Sequence, residues 1–153
     1  LHLAGSLEQP TLITPHSGEL SKLLAERGIV ASAELIESNP REWTQKASEL
    51  LAVTVLLKGS KTVVAQDSYV LELPIATPWL ATAGSGDVLA GIIGALVATN
   101  YIEILNDTRR LADVAATGAF IHNKAAEMIS GGGPLSASGI VEAIPQAVAS
   151  ILK

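Results

Sequence analysis

Residues 53–57, Val-Thr-Val-Leu-Leu, form a continuous apolar run rich in β-branched side chains and closed by Lys58-Gly59. A strand with apolar side chains on both sides of its pleat has to be covered on both faces, so it belongs inside a sheet with a layer above and a layer below. The covering layers are limited by what the chain can supply. Hydrophobic residues make up 48% of it but aromatic residues only 3%, so the core is built from Ala, Val, Ile and Leu. Close-packed helices over a buried sheet use that material, and the expected class is α/β. A length of 153 residues suits a single domain.

Charge and residue usage remove several function classes. Fifteen acidic residues against ten basic ones give a formal net charge of −5 with no Lys/Arg cluster, which speaks against nucleic acid as a partner. With no cysteine there is no disulfide framework, no thiolate metal site and no Cys nucleophile, and a reducing, cytoplasmic location is expected. The longest apolar run, residues 88–98, is shorter than the roughly 20 residues a spanning helix needs and contains Gly91 and Gly94, so no membrane segment is expected. Leu1-His2-Leu3-Ala4 lacks the basic and apolar regions of a signal peptide and reads as an interior cut.

The elements follow from local patterns. Residues 11–15 read as a short strand ending at Pro15, and Leu20, Leu23 and Leu24 then mark a helix over 18–27 that Gly28 closes. Asn39-Pro40 predicts an N-cap with Pro at the first helical position, with Trp43, Ala47, Leu50 and Leu51 on one face. Residues 62–65 and 69–73 predict a hairpin turning at Gln66-Asp67-Ser68. An irregular stretch, 74–85, separates it from helices over 87–99 and 109–128, both expected on the sheet, with Gly131-Gly132-Gly133-Pro134 stopping the second. A last helix over 138–152 is expected to break or kink near Pro145.

Three segments could carry chemistry. Ala83-Gly84-Ser85-Gly86-Asp87 leads into the most apolar helix, where small residues leave backbone N–H groups open to an anion and Asp87 occupies a place favourable to a carboxylate base. A helix cap behind a tight glycine turn would use the same residues. Thr14-Pro15-His16-Ser17-Gly18-Glu19 lies at a strand's carboxyl end, where α/β sheets place ligands; there His16 could meet a polar substrate, or the segment could be only a capping turn. Lys58-Gly59-Ser60-Lys61-Thr62 offers ammonium and hydroxyl groups to phosphate oxygens, or is a solvated turn. It is not a Walker A loop. His122 has no second ligand at metal spacing, so it reads as a packed residue or pocket wall, and no zinc is expected.

Taken in order, Thr14–Glu19, Leu57–Thr62, Gly84-Ser85-Gly86-Asp87-Val88-Leu89-Ala90-Gly91 and Ile121-His122 resemble the ADP/ATP-dependent NAD(P)H-hydrate dehydratase family over most of the chain. The resemblance implies a ribokinase-like fold, a three-layer αβα sandwich, with residues 1–153 as an incomplete, C-terminal portion of that domain. It implies repair of the hydrated S form of NADH or NADPH, a lyase reaction driven by ADP or ATP with Mg²⁺ accompanying the nucleotide. Asp87 and His16 would contact the hydrated nucleotide, while Lys58, Gly59, Ser60, Lys61, Thr62 and the loop through Thr82, Ala83, Gly84, Ser85 and Gly86 would hold the adenine nucleotide. Ser17 stands where Pro or another small residue is common in the family. No carboxylate cage for a metal is evident, the epimerase domain of some relatives is not expected, and a homo-oligomer is. A vitamin-precursor or sugar-like alcohol kinase of the same superfamily, or a non-catalytic nucleotide-binding module, would keep the same phosphate loop.

Overall fold

A computed structural model describes residues 9–152; the Leu1–Ala4 start read above lies outside the described residues. Its centre is the strand the sequence marks, β2 (Thr54–Leu57), buried along its whole length. β2 pairs in parallel with β1 (Leu12–Ile13) and antiparallel with β3 (Val63–Gln66), and β3 pairs antiparallel with β4 (Tyr69–Glu72), giving the order β1-β2-β3-β4. The hairpin turns at Asp67-Ser68, where Asp67 takes a φ of 50°, a region open to Asp at modest cost. Alternation along β2 divides the core. Val55 and Leu57 join Leu20, Leu24, Trp43, Ala47 and Leu51, whereas Leu56 joins Val64, Leu89, Ile93 and three alanines, Ala112, Ala115 and Ala119. The apolar material of one strand thus fixes two helical layers.

On the first face lie α1 (Ser17–Ala25), the short α2 (Ala33–Ser38) and α3 (Pro40–Leu51). Gly28 (φ 77°) ends α1 as expected: its N–H bonds the Ala25 carbonyl and the Ile29 N–H bonds that of Leu24, the paired bonds of a Schellman motif. Pro40 opens α3, and Trp43, Ala47 and Leu51 are buried, but Leu50 is exposed, one position round from the core-facing stripe. The second face is covered by α6 (Arg109–Ser130), with α4 (Ser85–Thr99) and α7 (Ala137–Ile151) packed against it and α5 (Tyr101–Asn106) between α4 and α6 in sequence. Of the two helices expected on the sheet, α6 lies on it directly; α4 lies on α6 and reaches the same core through Leu89 and Ile93. α7 is not interrupted at Pro145. Val141, whose carbonyl loses its helical donor there, is half exposed, so water can replace the missing bond.

Two six-residue helices, α2 and α5, escape the periodicity reading because each buries a single residue, Ile36 and Ile104 respectively, and one contact makes no period. No helix among the described residues is long and apolar enough to cross a membrane.

The α4–α6 seam turns on Gly118. A Cβ there would lie 2.6 Å from Ile93 Cγ1, so only glycine admits α4 this closely. Gly118→Ala is expected to lower the unfolding free energy by about 1–3 kcal/mol through overpacking. Gly91→Ala, in open space within α4, is expected to raise it by about 0.5–1 kcal/mol through helix propensity. Denaturant midpoints of the two variants test the contrast, and a Gly118→Ala protein as stable as the parent would show that the seam is not tight.

Candidate functional site

The parallel register carries two chain segments to one place. The Lys58 N–H donates to the Pro15 carbonyl at 2.8 Å, and His16 and Lys58 form a parallel bridge just beyond β1 and β2. The Thr14–Glu19 and Lys58–Thr62 segments therefore meet at the carboxyl ends of adjacent parallel strands, the position at which such sheets bind ligands. The remaining one arrives from the opposite layer. The N-terminus of α4 comes up beside Lys58, whose Nζ lies 3.7 Å from where a Cβ on Gly86 would be. Between them opens a cavity of about 470 Å³, a size usual for small-molecule sites.

Each wall has a distinct origin. From the strand ends come His16, Lys58, Gly59, Ser60 and Thr62. The loop after β4 adds Thr77, Pro78, Leu80, Ala81 and Thr82, and it is tied to the strand-end turn because the Leu73 N–H donates to the Thr62 carbonyl and the Ala76 N–H to that of Ser60. α4 and α6 supply Ser85, Gly86, Leu89, Ala119, His122 and Asn123. Asn123 was not singled out in the sequence. The available signal was its place beside His122 as a second buried polar residue on an alanine-rich helix face.

His16 answers both of its readings. It is the N-cap of α1: its Nδ1 accepts from the Gly18 and Glu19 N–H groups at 3.1 and 3.3 Å, while the Glu19 carboxylate accepts from the His16 N–H at 2.8 Å, a reciprocal capping box. It also lines the cavity. With Nδ1 accepting, a neutral ring carries its hydrogen on Nε2 and keeps that nitrogen as a donor. Glu19 Oε2 lies 3.6 Å from Lys58 Nζ, so one carboxylate both completes the cap and steadies the cavity's ammonium group. The His16 backbone N–H is the main reason the Glu19 carboxyl is held below its ordinary value of 4.5, with Lys58 and His16 assisting against partial burial.

The expected nucleotide residues divide. Lys61 turns away from the cavity into an ion pair with Glu72, which also receives Arg41 at 2.9 Å. In the glycine turn, Thr82, Ser85 and Gly86 line the cavity, whereas Ala83, Gly84 and Asp87 do not. Gly84 is required by the backbone: its φ is 83°, and a Cβ would lie 3.2 Å from Ala137 Cβ. The Ser85 N–H already bonds the Thr82 carbonyl, and those of Asp87 and Val88 bond that of Gly84, so among the cavity-lining residues of this turn those bonds leave the amides of Thr82 and Gly86 open. Asp87 is exposed in the first turn of α4, one residue past the lining. Among the described residues no group of three or more His, Asp or Glu is placed to hold a metal ion.

His122 forms part of the wall as expected. Burial pushes its pKa below the ordinary 6.5, outweighing opposite pulls from the Ser85 backbone and the Asn123 side chain, and its Nε2 has no hydrogen-bond partner.

Comparison with known proteins gives the family and the fold. Residues 3–145 match the NAD(P)H-hydrate dehydratase family. The chain is 36% identical over 157 aligned residues to the bifunctional NAD(P)H-hydrate repair enzyme Nnr of Corynebacterium glutamicum, covering 93% of this chain and 27% of that protein. Among solved structures, the ADP/ATP-dependent NAD(P)H-hydrate dehydratase of Bacillus subtilis, co-crystallised with ATP/Mg²⁺, superposes with a TM-score of 0.76 at 20% identity, over 95% of this chain and 50% of that one. A ribokinase-like superfamily protein of Enterococcus faecalis gives 0.71 at 24% identity, over 93% and 45%. The fold is ribokinase-like, and the chain spans about half of the solved chains it matches.

Because the folded chain keeps His122 neutral below 6.5 while an unfolded chain does not, the unfolded state binds the proton first and stability falls as pH drops below that value. Between about pH 7 and about pH 5 the parent is expected to lose more unfolding free energy than His122→Gln. Parallel slopes for the two proteins would show that the ring is not held neutral by burial.

Proposed function

This chain belongs to the NAD(P)H-hydrate dehydratase family, and on that premise we propose that its cavity serves the nucleotide-dependent dehydration of (S)-NAD(P)H hydrate to NAD(P)H. The single observation that carries the reading is the meeting of His16, Lys58-Gly59-Ser60 and Gly86 around one cavity at the carboxyl ends of parallel strands. Residues 1–153 are taken as the C-terminal portion of the domain, in keeping with the half of each solved relative that they span. A homo-oligomer belongs to the reading, with Tyr101, Ile102 and Leu105 exposed on α5 in its favour, and so does a cytoplasmic location, in keeping with the lack of cysteine.

The chemistry needs a better leaving group than hydroxide. Lys58 and the Gly86 amide hold the phosphates of ADP or ATP, the first as a mobile point charge and the second as a fixed donor. His16, beside Lys58 on the strand-end wall, donates from Nε2 to the hydrated nucleotide. The Asp87 carboxylate takes the proton from the hydrate hydroxyl as its oxygen attacks the terminal phosphorus. The bond from that phosphorus to the rest of the nucleotide breaks with its electron pair, leaving AMP from ADP or ADP from ATP. The carbon–oxygen bond then breaks with its pair on the departing phosphate, the neighbouring ring carbon releases a proton to solvent, and the double bond returns. Mg²⁺ carried by the phosphates would offset their charge, and among the described residues no group of three His, Asp or Glu is placed to hold it.

The test is recovery of the reduced-nicotinamide absorbance from hydrated cofactor, with the whole domain supplied, on addition of ADP or ATP. Phosphorylation of an added alcohol without such recovery would replace dehydratase with kinase. Asp87→Asn is expected to lower turnover by about 10²- to 10⁴-fold while ADP affinity, measured by calorimetry, survives. Turnover near the parent's would reduce Asp87 to a helix-terminal charge. Gly86→Val should weaken ADP binding far more than folding, because Gly86 has no left-handed φ and its Cβ would project toward Lys58 and the cavity. A destabilised Gly86→Val protein with unchanged ADP affinity would remove the amide from the phosphate site.

A further inference from the structure

The proposed chemistry uses the strand-end wall of the cavity and the first turn of α4, and leaves the wall that α6 supplies without a role. That wall holds the one buried side-chain polar atom without a hydrogen-bond partner among the described residues, Nε2 of His122. The ring is 5% exposed, and Asn123 beside it is 9% exposed; both line the cavity. A buried polar atom left unpaired is costly, and native structures rarely keep one without a use. Its surroundings narrow that use. Pro78, Leu80, Ala81, Leu89 and Ala119 make much of the remaining lining apolar, which suits a flat ring, and the cation that suits phosphate is on the strand-end side at Lys58. A cavity with an ammonium group on one wall and an apolar wall carrying an imidazole and an amide matches the two ends of a nucleotide.

The protonation state sets what the imidazole can read. Burial favours the neutral ring, which has one N–H to give and one nitrogen to accept. Nε2 is the nitrogen without a partner and can serve as that acceptor. An acceptor on the wall welcomes an amino group and opposes a carbonyl oxygen. Asn123 can offer both the acceptor and the donor of its amide to the neighbouring ring edge, the paired geometry by which amides meet adenine.

We propose that His122, assisted by Asn123, is the base-specificity element of the nucleotide site, accepting a hydrogen bond from the 6-amino group of adenine and rejecting purines that carry a 6-carbonyl. This rests on the nucleotide reading given above, and the experiment separates the two. Binding of ADP and of inosine diphosphate, which has a carbonyl in place of that amino group, is measured by calorimetry on the parent, His122→Phe and His122→Gln, with circular dichroism to establish that each variant is folded.

The parent is expected to prefer ADP by at least about tenfold, the scale of a lost hydrogen bond facing an unpaired buried acceptor. The preference should collapse toward unity in His122→Phe, which fills the space without an acceptor. His122→Gln, whose amide oxygen can still accept, should retain part of it. A parent that binds both nucleotides equally, or a folded His122→Phe that keeps the full preference, overturns the inference and leaves the nucleotide site standing. A parent that binds neither overturns the nucleotide reading and this inference with it. Should His122→Phe fail to fold, the ratio in the parent and its change in His122→Gln still decide.

Discussion

The parallel pairing of β1 with β2 is the constraint on which the rest depends. Leu12 opposite Thr54 and Ile13 opposite Val55 bring the two strands to an end side by side, and the Pro15–Lys58 backbone bond continues the register for one more step. A parallel pair sends both chains out of the sheet at the same edge. One leaves into α1 through His16 and the other into the Lys58–Thr62 turn, so residues more than forty positions apart become neighbours. The buried character of β2 then requires a layer on each face, and the second layer delivers the N-terminus of α4 to the same edge. Site and core are two outcomes of one register.

Several residues serve the architecture and the cavity at once. His16 terminates a helix through one ring nitrogen and keeps the other as a donor. Glu19 closes the same cap and neutralises part of the charge on Lys58. In the glycine turn the duties separate: Gly84 provides a backbone conformation and Gly86 provides room. Two glycines in a four-residue stretch look equivalent in sequence, yet only the sign of φ and the neighbour of the missing Cβ distinguish them.

What could be read from the sequence was what local physics decides. The β-branched run of β2, the hairpin at Asp67, Pro40 at the head of α3 and the Gly28 stop each follow from steric or hydrogen-bonding preferences within a few residues. The meeting of three short segments was legible through their order, which resembles a known family, and not through any one segment alone. What could not be read depends on partners distant in sequence. Lys61 turns from the cavity into an ion pair with Glu72 across the hairpin, a carboxylate that also receives Arg41. Asn123 becomes a wall residue only through the way α4 lies on α6. α2 and α5, anchored by one isoleucine each, leave almost no periodic trace.

The close seat of Ile93 against Gly118 has a geometric consequence for ligand size. Gly118 and His122 are one helical turn apart on α6, and Ile93 and Gly86 are two turns apart on α4, so the distance at which the helices touch also gauges the width of the cavity above their contact. A side chain substituted deep in this seam would act as a shim, spreading the two walls without altering a residue that a ligand touches. Related proteins could therefore be tuned to bulkier or slimmer ligands by changes at a position no ligand reaches, and an alignment of lining residues alone would miss the adjustment.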